Sequence, residues 1–256
     1  MQDKTLLGQI ETSISEGIAT ITFSHPAHNS LPGRLLAQLK EAIEQAGQDD
    51  EIRVIILRSG GDRTFCAGAS FDELMAIQDE VTGKEFFLGF ARVINAIRKC
   101  PKFVLGRVQG KAIGGGVGLA SATDYCVATR FAGIKLSELA IGIGPFVVGP
   151  AVARKMGQSA FQQLAIDATA LQSAEWAREK GLYTAVFDDA TAMDEYLQTL
   201  AGKLAGSSPA AMKELKRVSW EGTEHWDELL DTRAAISGEL VLSDFTRNAI
   251  AAFKNK

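Results

Sequence analysis

The stretch KAIGGGVGLASATDYC, residues 111–126, constrains the fold more than any other part of the chain. It follows the run FVLGRVQG, whose apolar and β-branched residues are typical of a buried strand. Three consecutive glycines, with a fourth at Gly118, therefore lie where a strand passes into a helix. Because glycine has no side chain, another group must pack against this first helical turn or bind at it.

Four uses of such a glycine run can be compared. A phosphate loop of the Walker type requires a Lys and then a Ser or Thr after its last glycine, and GGGVGLAS has no Lys there. A dinucleotide-binding GxGxxG pattern is not completed, because the third position falls on Leu119 or Ser121. Two uses stay open. One is close packing of a helix on a strand, and the other is a site for an anionic oxygen, because the first N–H groups of a helix have no intrahelical acceptor.

A second stretch of the same form favours the oxygen site. RTFCAGASFDELM, residues 63–75, has a loop of small residues before a short helix, with Ser70 as the expected N-cap. The two loops follow neighbouring predicted strands, so each could present a backbone N–H to one carbonyl oxygen.

The first half of the chain alternates short strands with amphipathic helices, and the second half is mostly helical. GQIETSIS and IATITFSH predict a hairpin around Glu16 and Gly17, and RVIILRSG and DYCVATR predict further strands. Leu35, Leu36, Leu39 and Ile43 have helical spacing. YTAVFD is expected to be a strand among predicted helices at 158–166, 173–181, 190–206, 210–221 and 226–253.

Composition excludes several classes of function. The chain of 256 residues has a net charge of −4 and no long basic run, so we expect neither nucleic acid nor a membrane surface as a partner. Its three cysteines, Cys66, Cys100 and Cys126, have no metal-binding spacing, and no metal site is predicted. No apolar run reaches the roughly 18 residues of a membrane span. We expect a soluble cytoplasmic protein.

FCAGASFDEL, followed by KFVLGRVQGKAIGGGVGLASATDYCVAT, resembles the crotonase superfamily, the enoyl-CoA hydratases and isomerases. The resemblance covers nearly the whole chain. It implies an α/β fold, a spiral of ββα units with a C-terminal helical region, and stabilisation of a thioester enolate by two backbone N–H groups. Residue by residue, these donors fall on Ala69 and Gly115, although Ser70 stands where many members have Asp.

An enolate also needs a group that moves a proton to or from carbon. The candidate is Glu138 in IKLSELAIGIGP, an apolar stretch whose nearby basic residue is Lys135. The resemblance supports it, since one of the family's two catalytic glutamates falls on Glu138. The other, which the family's hydratases use, falls on Gly118. One carboxylate suffices to carry a proton between two carbons, so this departure favours double-bond isomerisation.

Other reactions stay open. An enoyl-CoA hydratase or methylglutaconyl-CoA-type hydratase would need another group to orient water, such as Ser121 or a residue of 78–90. A hydrolase of the family would have an aspartate where this chain has Phe146. A non-catalytic acyl-CoA-binding protein is a further alternative. His25, His28 and His225 are far from both loops in sequence and are interpreted as surface or structural residues.

The resemblance also implies a substrate, a binding region and an assembly. The substrate would be an acyl-CoA, with coenzyme A as part of the substrate and no separate cofactor. Residues matching the family's coenzyme A region are Ala27, Asn29, Leu31, Ala67, Phe71 and the basic Lys254. Residues 1–206 are predicted to form the crotonase-fold core and 207–256 a C-terminal helical trimerisation region, giving a homotrimer or homohexamer.

Overall fold

A six-stranded sheet forms the base of the structure. The computed structural model describes the backbone of residues 7–254 and the side chains of residues 7–252. The strands, in spatial order, are β1 (Gln9–Ser15), β2 (Ile18–Ser24), β3 (Val54–Ser59), β5 (Phe103–Val108), β7 (Tyr125–Thr129) and β9 (Ala185–Phe187). The first two form the predicted antiparallel hairpin, and all other neighbours are parallel. Glu16 and Gly17 both have positive φ, at 51° and 75°, as a tight hairpin turn between twisted strands requires.

A second, smaller sheet positions the candidate site. Its three parallel strands are β4 (Thr64–Cys66), β6 (Lys111–Ile113) and β8 (Ile134–Lys135). Each follows a strand of the large sheet along the chain, so strand pairs and helices alternate as the predicted spiral of ββα units requires. The sequence did not predict β4 or β6 as strands, because two or three residues are too few to show a period of two.

The helices agree with most of the predicted boundaries. They are α1 (Gly33–Gln48), α2 (Phe71–Ala76), α3 (Glu80–Lys99), α4 (Gly115–Ala122), α5 (Gly149–Met156), α6 (Gln158–Ile166), α7 (Ala174–Glu179), α8 (Ala190–Ala205), α9 (Pro209–Ser219), α10 (Trp226–Leu240) and α11 (Asp244–Lys254). The single helical stretch predicted over 226–253 is wrong in one respect, because it is two helices. Ser243 Oγ accepts a hydrogen bond from the Thr246 N–H at 3.3 Å and so starts α11 as a separate helix.

Apolar side chains cover both faces of the large sheet. On one face, Met193, Leu197 and Ala201 of α8 pack against a cluster from β2, β3, β5 and β7. On the other face, Leu35, Leu36, Leu39 and Ile43 of α1 and the apolar side of α3 form the main core. The helical spacing identified in the sequence is therefore the buried face of α1.

The C-terminal helices pack closely on the rest of the chain. Lys216 of α9 forms a buried ion pair with Asp124, at 2.8 Å, and Trp220 Nε1 donates to the same carboxylate at 2.9 Å. Helix α10 runs along α3, where a Cβ added to Gly83 would lie 2.8 Å from the Gly238 carbonyl oxygen. The role of 207–256 in trimerisation stays a prediction.

The described residues contain neither a membrane-spanning helix nor a metal-binding cluster. Among the helices of residues 7–254, none is both long and apolar enough to cross a membrane. Within the same part of the chain, no three His, Cys, Asp or Glu side chains lie together as a metal-binding group.

Candidate active site at the strand ends of the small sheet

The three predicted catalytic positions come together at one edge of the small sheet. Ala69 lies in the loop after β4, Gly115 lies after β6, and Glu138 lies after β8. Because these strands are parallel and adjacent, the loops at their carboxyl ends are neighbours in space. The sequence could indicate two loops of similar form, but the strands that bring them together are too short to recognise.

The loop before α2 is held by its own backbone. The Leu31 N–H donates to the Gly68 carbonyl at 2.8 Å, and the Ala67 N–H donates to the His28 carbonyl at 3.2 Å. Gly68 has φ of 94°, a conformation that favours glycine. Ser70 caps α2 as predicted, accepting from the Glu73 N–H at 3.4 Å. Among the hydrogen bonds of the described residues, none uses the Ala69 N–H as donor.

The glycine run begins α4 beside that loop. The Gly114 N–H donates to the Lys135 carbonyl at 2.8 Å, which fixes the run to β8. The next N–H, that of Gly115, belongs to the first residue of the helix and has no acceptor in the described part of the chain. A Cβ added to Gly68 would lie 3.7 Å from this Gly115 nitrogen. The two unused donors are therefore on adjacent loops, as an oxygen-binding pair would need to be.

A cavity of about 400 Å³ opens in front of these donors. Its wall is mainly apolar and includes a group of phenylalanines. The aromatic residues of the wall are Phe71, Phe86, Phe87, Phe90 and Phe146. Its polar side chains are Lys135, Ser137, Glu138, Thr169 and Ser237. A largely apolar concave site with few polar groups is the usual form of a small-molecule site.

Glu138 is the one carboxylate among the described residues of this wall. Its Oε2 is shielded from solvent and has no hydrogen-bond partner among those residues. A Cβ added to Gly114 would lie 3.0 Å from Glu138 Oε1, so the carboxylate adjoins the glycine run. Burial raises the pKa of Glu138 from 4.5 to about 7, against a smaller opposing effect from its own backbone N–H.

Gly118 has an apolar neighbour rather than a polar one. A Cβ added to Gly118 would lie 2.4 Å from Val148 Cγ1 and 2.7 Å from Val148 Cβ. Neither group suggested for orienting water takes that place. Ser121 is fully buried and is not part of the cavity wall, and the 78–90 segment contributes only phenylalanines to that wall.

The predicted coenzyme A residues divide into two groups. Ala67 and Phe71 line the cavity. Asn29 and Leu31 instead hold the structure together, because Asn29 Nδ2 donates to the Gly60 and Thr64 carbonyls, both at 2.8 Å, and the Leu31 side chain is fully buried. Ala27 is exposed and lies outside the cavity wall. Lys254 is the last residue of α11, and its side chain lies outside the described residues.

The histidines take no part in the cavity wall that the structure describes. His25 Nδ1 accepts a hydrogen bond from the Ala27 N–H at 3.2 Å, and burial lowers the pKa of His25. His28 is exposed, and His225 precedes α10 as its N-cap residue. Their interpretation as surface or structural residues agrees with these positions.

Sequence reasoning did not identify most residues of the cavity wall individually, although segments 73–95 and 139–150 were expected to shape the acyl pocket. Phe86, Phe87 and Phe90 are spaced at i, i+1 and i+4 on α3, so the sequence could predict that they share one side of the helix. It could not predict that this side would line the cavity. Phe146 and Val148 lie together just before α5, whereas Thr169 follows α6 and Ser237 is in α10, and no local pattern indicates that they converge.

Comparison with known proteins shows which family the chain resembles. The family model described as enoyl-CoA hydratase/isomerase matches residues 13–256. A peroxisomal Delta(3,5)-Delta(2,4)-dienoyl-CoA isomerase of Arabidopsis thaliana is 27% identical, over 98% of this chain and 95% of that protein. A probable enoyl-CoA hydratase of Bacillus subtilis is 26% identical, over 98% of this chain and 97% of that protein. Similar relatives thus include one named as an isomerase and one named as a hydratase.

Solved structures agree with the fold. An enoyl-CoA hydratase from Mycobacterium avium subsp. paratuberculosis has a TM-score of 0.84 at 26% identity, covering 96% of this chain and 95% of that one. An enoyl-CoA hydratase from Bacillus halodurans has a TM-score of 0.88 at 22% identity, covering 95% of this chain and 99% of that one. The family match spans nearly the whole chain, and the predicted spiral of ββα units is present. The chain therefore belongs to the enoyl-CoA hydratase/isomerase family of the crotonase superfamily, and is an enzyme of that family.

Proposed function

We propose that this enzyme moves a double bond along the acyl chain of an enoyl-CoA thioester, with Glu138 carrying the proton. The observation that supports the proposal is that Glu138 is the single carboxylate in the described cavity wall and that its Oε2 is shielded from solvent. The place beside Gly118, where the resemblance to hydratases would put a second carboxylate, is filled by Val148.

The thioester oxygen would lie between the N–H groups of Ala69 and Gly115. Both donors are unused by other described residues, and they are on adjacent loops. As a proton leaves the carbon next to the carbonyl, negative charge develops on this oxygen. A single backbone donor of this kind typically contributes about 10²- to 10³-fold to the rate. The two N–H groups thus lower the barrier to forming the enolate.

Proton transfer then needs one group that acts first as base and then as acid. The Glu138 carboxylate takes a proton from C2 of a 3-enoyl thioester, and the electron pair of that C–H bond becomes part of a dienolate. The protonated carboxyl then returns the proton to C4, which leaves the double bond between C2 and C3. A pKa of about 7 suits both steps, because neither protonation state is strongly favoured near neutral pH. The reaction is redox-neutral and uses coenzyme A only as part of the substrate.

Hydration would require different groups in the same cavity. Adding water to a double bond requires the water to be oriented and split, for which the family's hydratases use two carboxylates. Here the side chains next to the Cβ positions of Gly115 and Gly118 are Phe90 and Val148, which offer water no hydrogen bond. The apolar environment supports isomerisation over hydration.

The test compares the two reactions on one preparation. Cis-3-enoyl-CoA and trans-2-enoyl-CoA are supplied separately, and double-bond migration and water addition are measured by chromatography of the products. We expect migration to be faster than hydration. Glu138→Gln should lower the migration rate about 10²-fold or more. Glu179→Gln, exposed on α7 and outside the cavity wall, serves as the matched control and should keep the wild-type rate.

Two results would oppose the proposal. Hydration that is clearly faster than migration would assign the enzyme to the hydratases, and unchanged migration in Glu138→Gln would remove this residue from the mechanism. A non-catalytic acyl-CoA-binding protein would bind the thioester without exchanging its α-proton in deuterated water, which proton NMR detects.

A further inference from the structure

Val148 separates Gly118 from the cavity. The side chain of Val148 is nearly inaccessible to solvent, and Val148 lines the cavity, whereas Gly118 lies behind it on α4 and is not part of the wall. Val148 Cγ1 and Cβ occupy the space where a Cβ of residue 118 would lie. Val148 precedes α5, so this contact is part of the packing of α5 on α4.

We propose that Val148 determines reaction specificity, because its side chain excludes any side chain at residue 118 and so restricts the site to one carboxylate. The functional half of this inference rests on the proposed isomerisation. The packing half does not, since it concerns only which pairs of side chains fit between α4 and α5.

The geometry places residue 118 where a carboxylate could act. Gly114 is the N-cap residue of α4, and its carbonyl accepts a hydrogen bond from the Gly118 N–H at 3.3 Å, so residue 118 lies one helical turn from Gly114. The Glu138 carboxylate lies against Gly114. If residue 148 had a smaller side chain, a carboxylate at residue 118 would enter the same cavity about one turn further along α4. The two carboxylates could then act on one water molecule.

The distances also predict which residue at 148 makes enough room. A Cβ at residue 118 would be 2.4 Å from Val148 Cγ1, 2.7 Å from its Cβ and 3.6 Å from its Cα. Val148→Ala removes only the first contact, and the remaining one is still too short. Val148→Gly removes both and leaves the Cα at an ordinary contact distance. Glycine at 148, but not alanine, should therefore permit a side chain at 118.

Thermal stability tests the packing half of the proposal. Gly118→Ala is made in the wild-type, Val148→Ala and Val148→Gly backgrounds, and the midpoint of unfolding, Tm, is measured for each pair. We expect Gly118→Ala to lower Tm by roughly 3–10 °C in the first two backgrounds, as overpacking does, and to have little effect in the third. An equal loss in all three backgrounds would overturn the proposal.

Gly116→Ala is the matched control on the same helix. A Cβ at residue 116 would lie 2.6 Å from the Cys66 carbonyl oxygen, which is backbone and unrelated to Val148. Its loss of Tm should be the same in the wild-type and Val148→Gly backgrounds. If Val148→Gly also removed the loss of Tm caused by Gly116→Ala, then Val148→Gly would loosen the packing of the helix in general rather than remove one specific contact. That result would count against the proposal.

Reaction specificity tests the functional half. Gly118→Glu with Val148→Gly should raise the ratio of hydration to isomerisation about 10-fold or more over Val148→Gly alone, since a positioned acid or base typically contributes 10²- to 10⁴-fold. Gly118→Asp in the same background gives a second measurement with a shorter side chain. An unchanged ratio in folded protein, or failure of both variants to fold, overturns the proposal. If instead wild-type enzyme does not isomerise, the proposed function fails while the Tm comparison still decides the role of Val148.

Discussion

The buried carboxylate of Glu138 should make the stability of the protein depend on pH in a way that can be isolated. Burial raises the pKa of Glu138 from 4.5 to about 7. The folded protein therefore holds this proton more tightly than the unfolded chain does. The contribution to stability is complete below pH 4.5 and is lost as the pH rises towards 7, because the unfolded state then releases the proton first.

The magnitude follows from the two pKa values. Between pH 5 and pH 8, the linkage relation gives a loss of about 2.5 kcal/mol of unfolding free energy from this one group. Other groups also titrate over this range, so the quantity to measure is the difference between wild type and Glu138→Gln. Urea unfolding at fixed protein concentration should show Glu138→Gln becoming more stable relative to wild type by about that amount as the pH rises.

A second variant provides the internal control. Glu138→Leu also removes the titrating group, although its absolute stability should differ from that of Glu138→Gln. The two variants should have parallel stability curves against pH, and both should diverge from wild type. Wild-type and Glu138→Gln curves that are parallel from pH 5 to pH 8 would refute the reasoning, because Glu138 would then titrate alike in the folded and unfolded states.

Three further outcomes can be measured directly. Gly115→Ala should reduce isomerisation at least 10-fold and lower Tm, because a Cβ there would lie 2.3 Å from the Phe90 ring; in a Phe90→Ala background the same substitution should still reduce the rate but no longer lower Tm. Gly202→Ala, in α8 with no neighbouring atom within 4 Å, should stabilise the protein by about 0.5–1 kcal/mol in urea unfolding. Lys216→Met should destabilise it by about 3–5 kcal/mol, since Asp124 would remain buried without its partner; a loss below about 1 kcal/mol would contradict this.

The fold was readable where segments are long and periodic. The hairpin at β1 and β2 and the apolar face of α1 follow from alternation and helical spacing, and the resemblance supplied the spiral arrangement. The break between α10 and α11 was missed because Ser243 is a weak signal within a helical pattern. Strands β4 and β6 were missed because their length is set by pairing with neighbours rather than by their own composition.

The candidate site, like the fold, could be predicted only in part from the sequence. Ala69, Gly115 and Glu138 come from loops with a recognisable local form, so the sequence and its resemblance could propose them, and the structure brings them to one cavity. The sequence could not predict which residue lies beside Gly118. Residues 118 and 148 meet only because α5 packs on α4, and no spacing in the sequence encodes that contact. What a glycine makes room for is a property of tertiary packing.

The contact between α11 and the turn that carries Glu138 determines when this site can exist during synthesis. A Cβ added to Gly142, just after that turn, would lie 2.5 Å from Phe245 Cδ1 and 2.6 Å from Thr246 Oγ1. From the other end of the chain, Leu31 pairs with the Ala69 loop. A nascent chain that has not yet released α11 from the ribosome therefore lacks one side of the Glu138 turn. The enzyme should acquire its finished site only after α11 has emerged and packed against that turn.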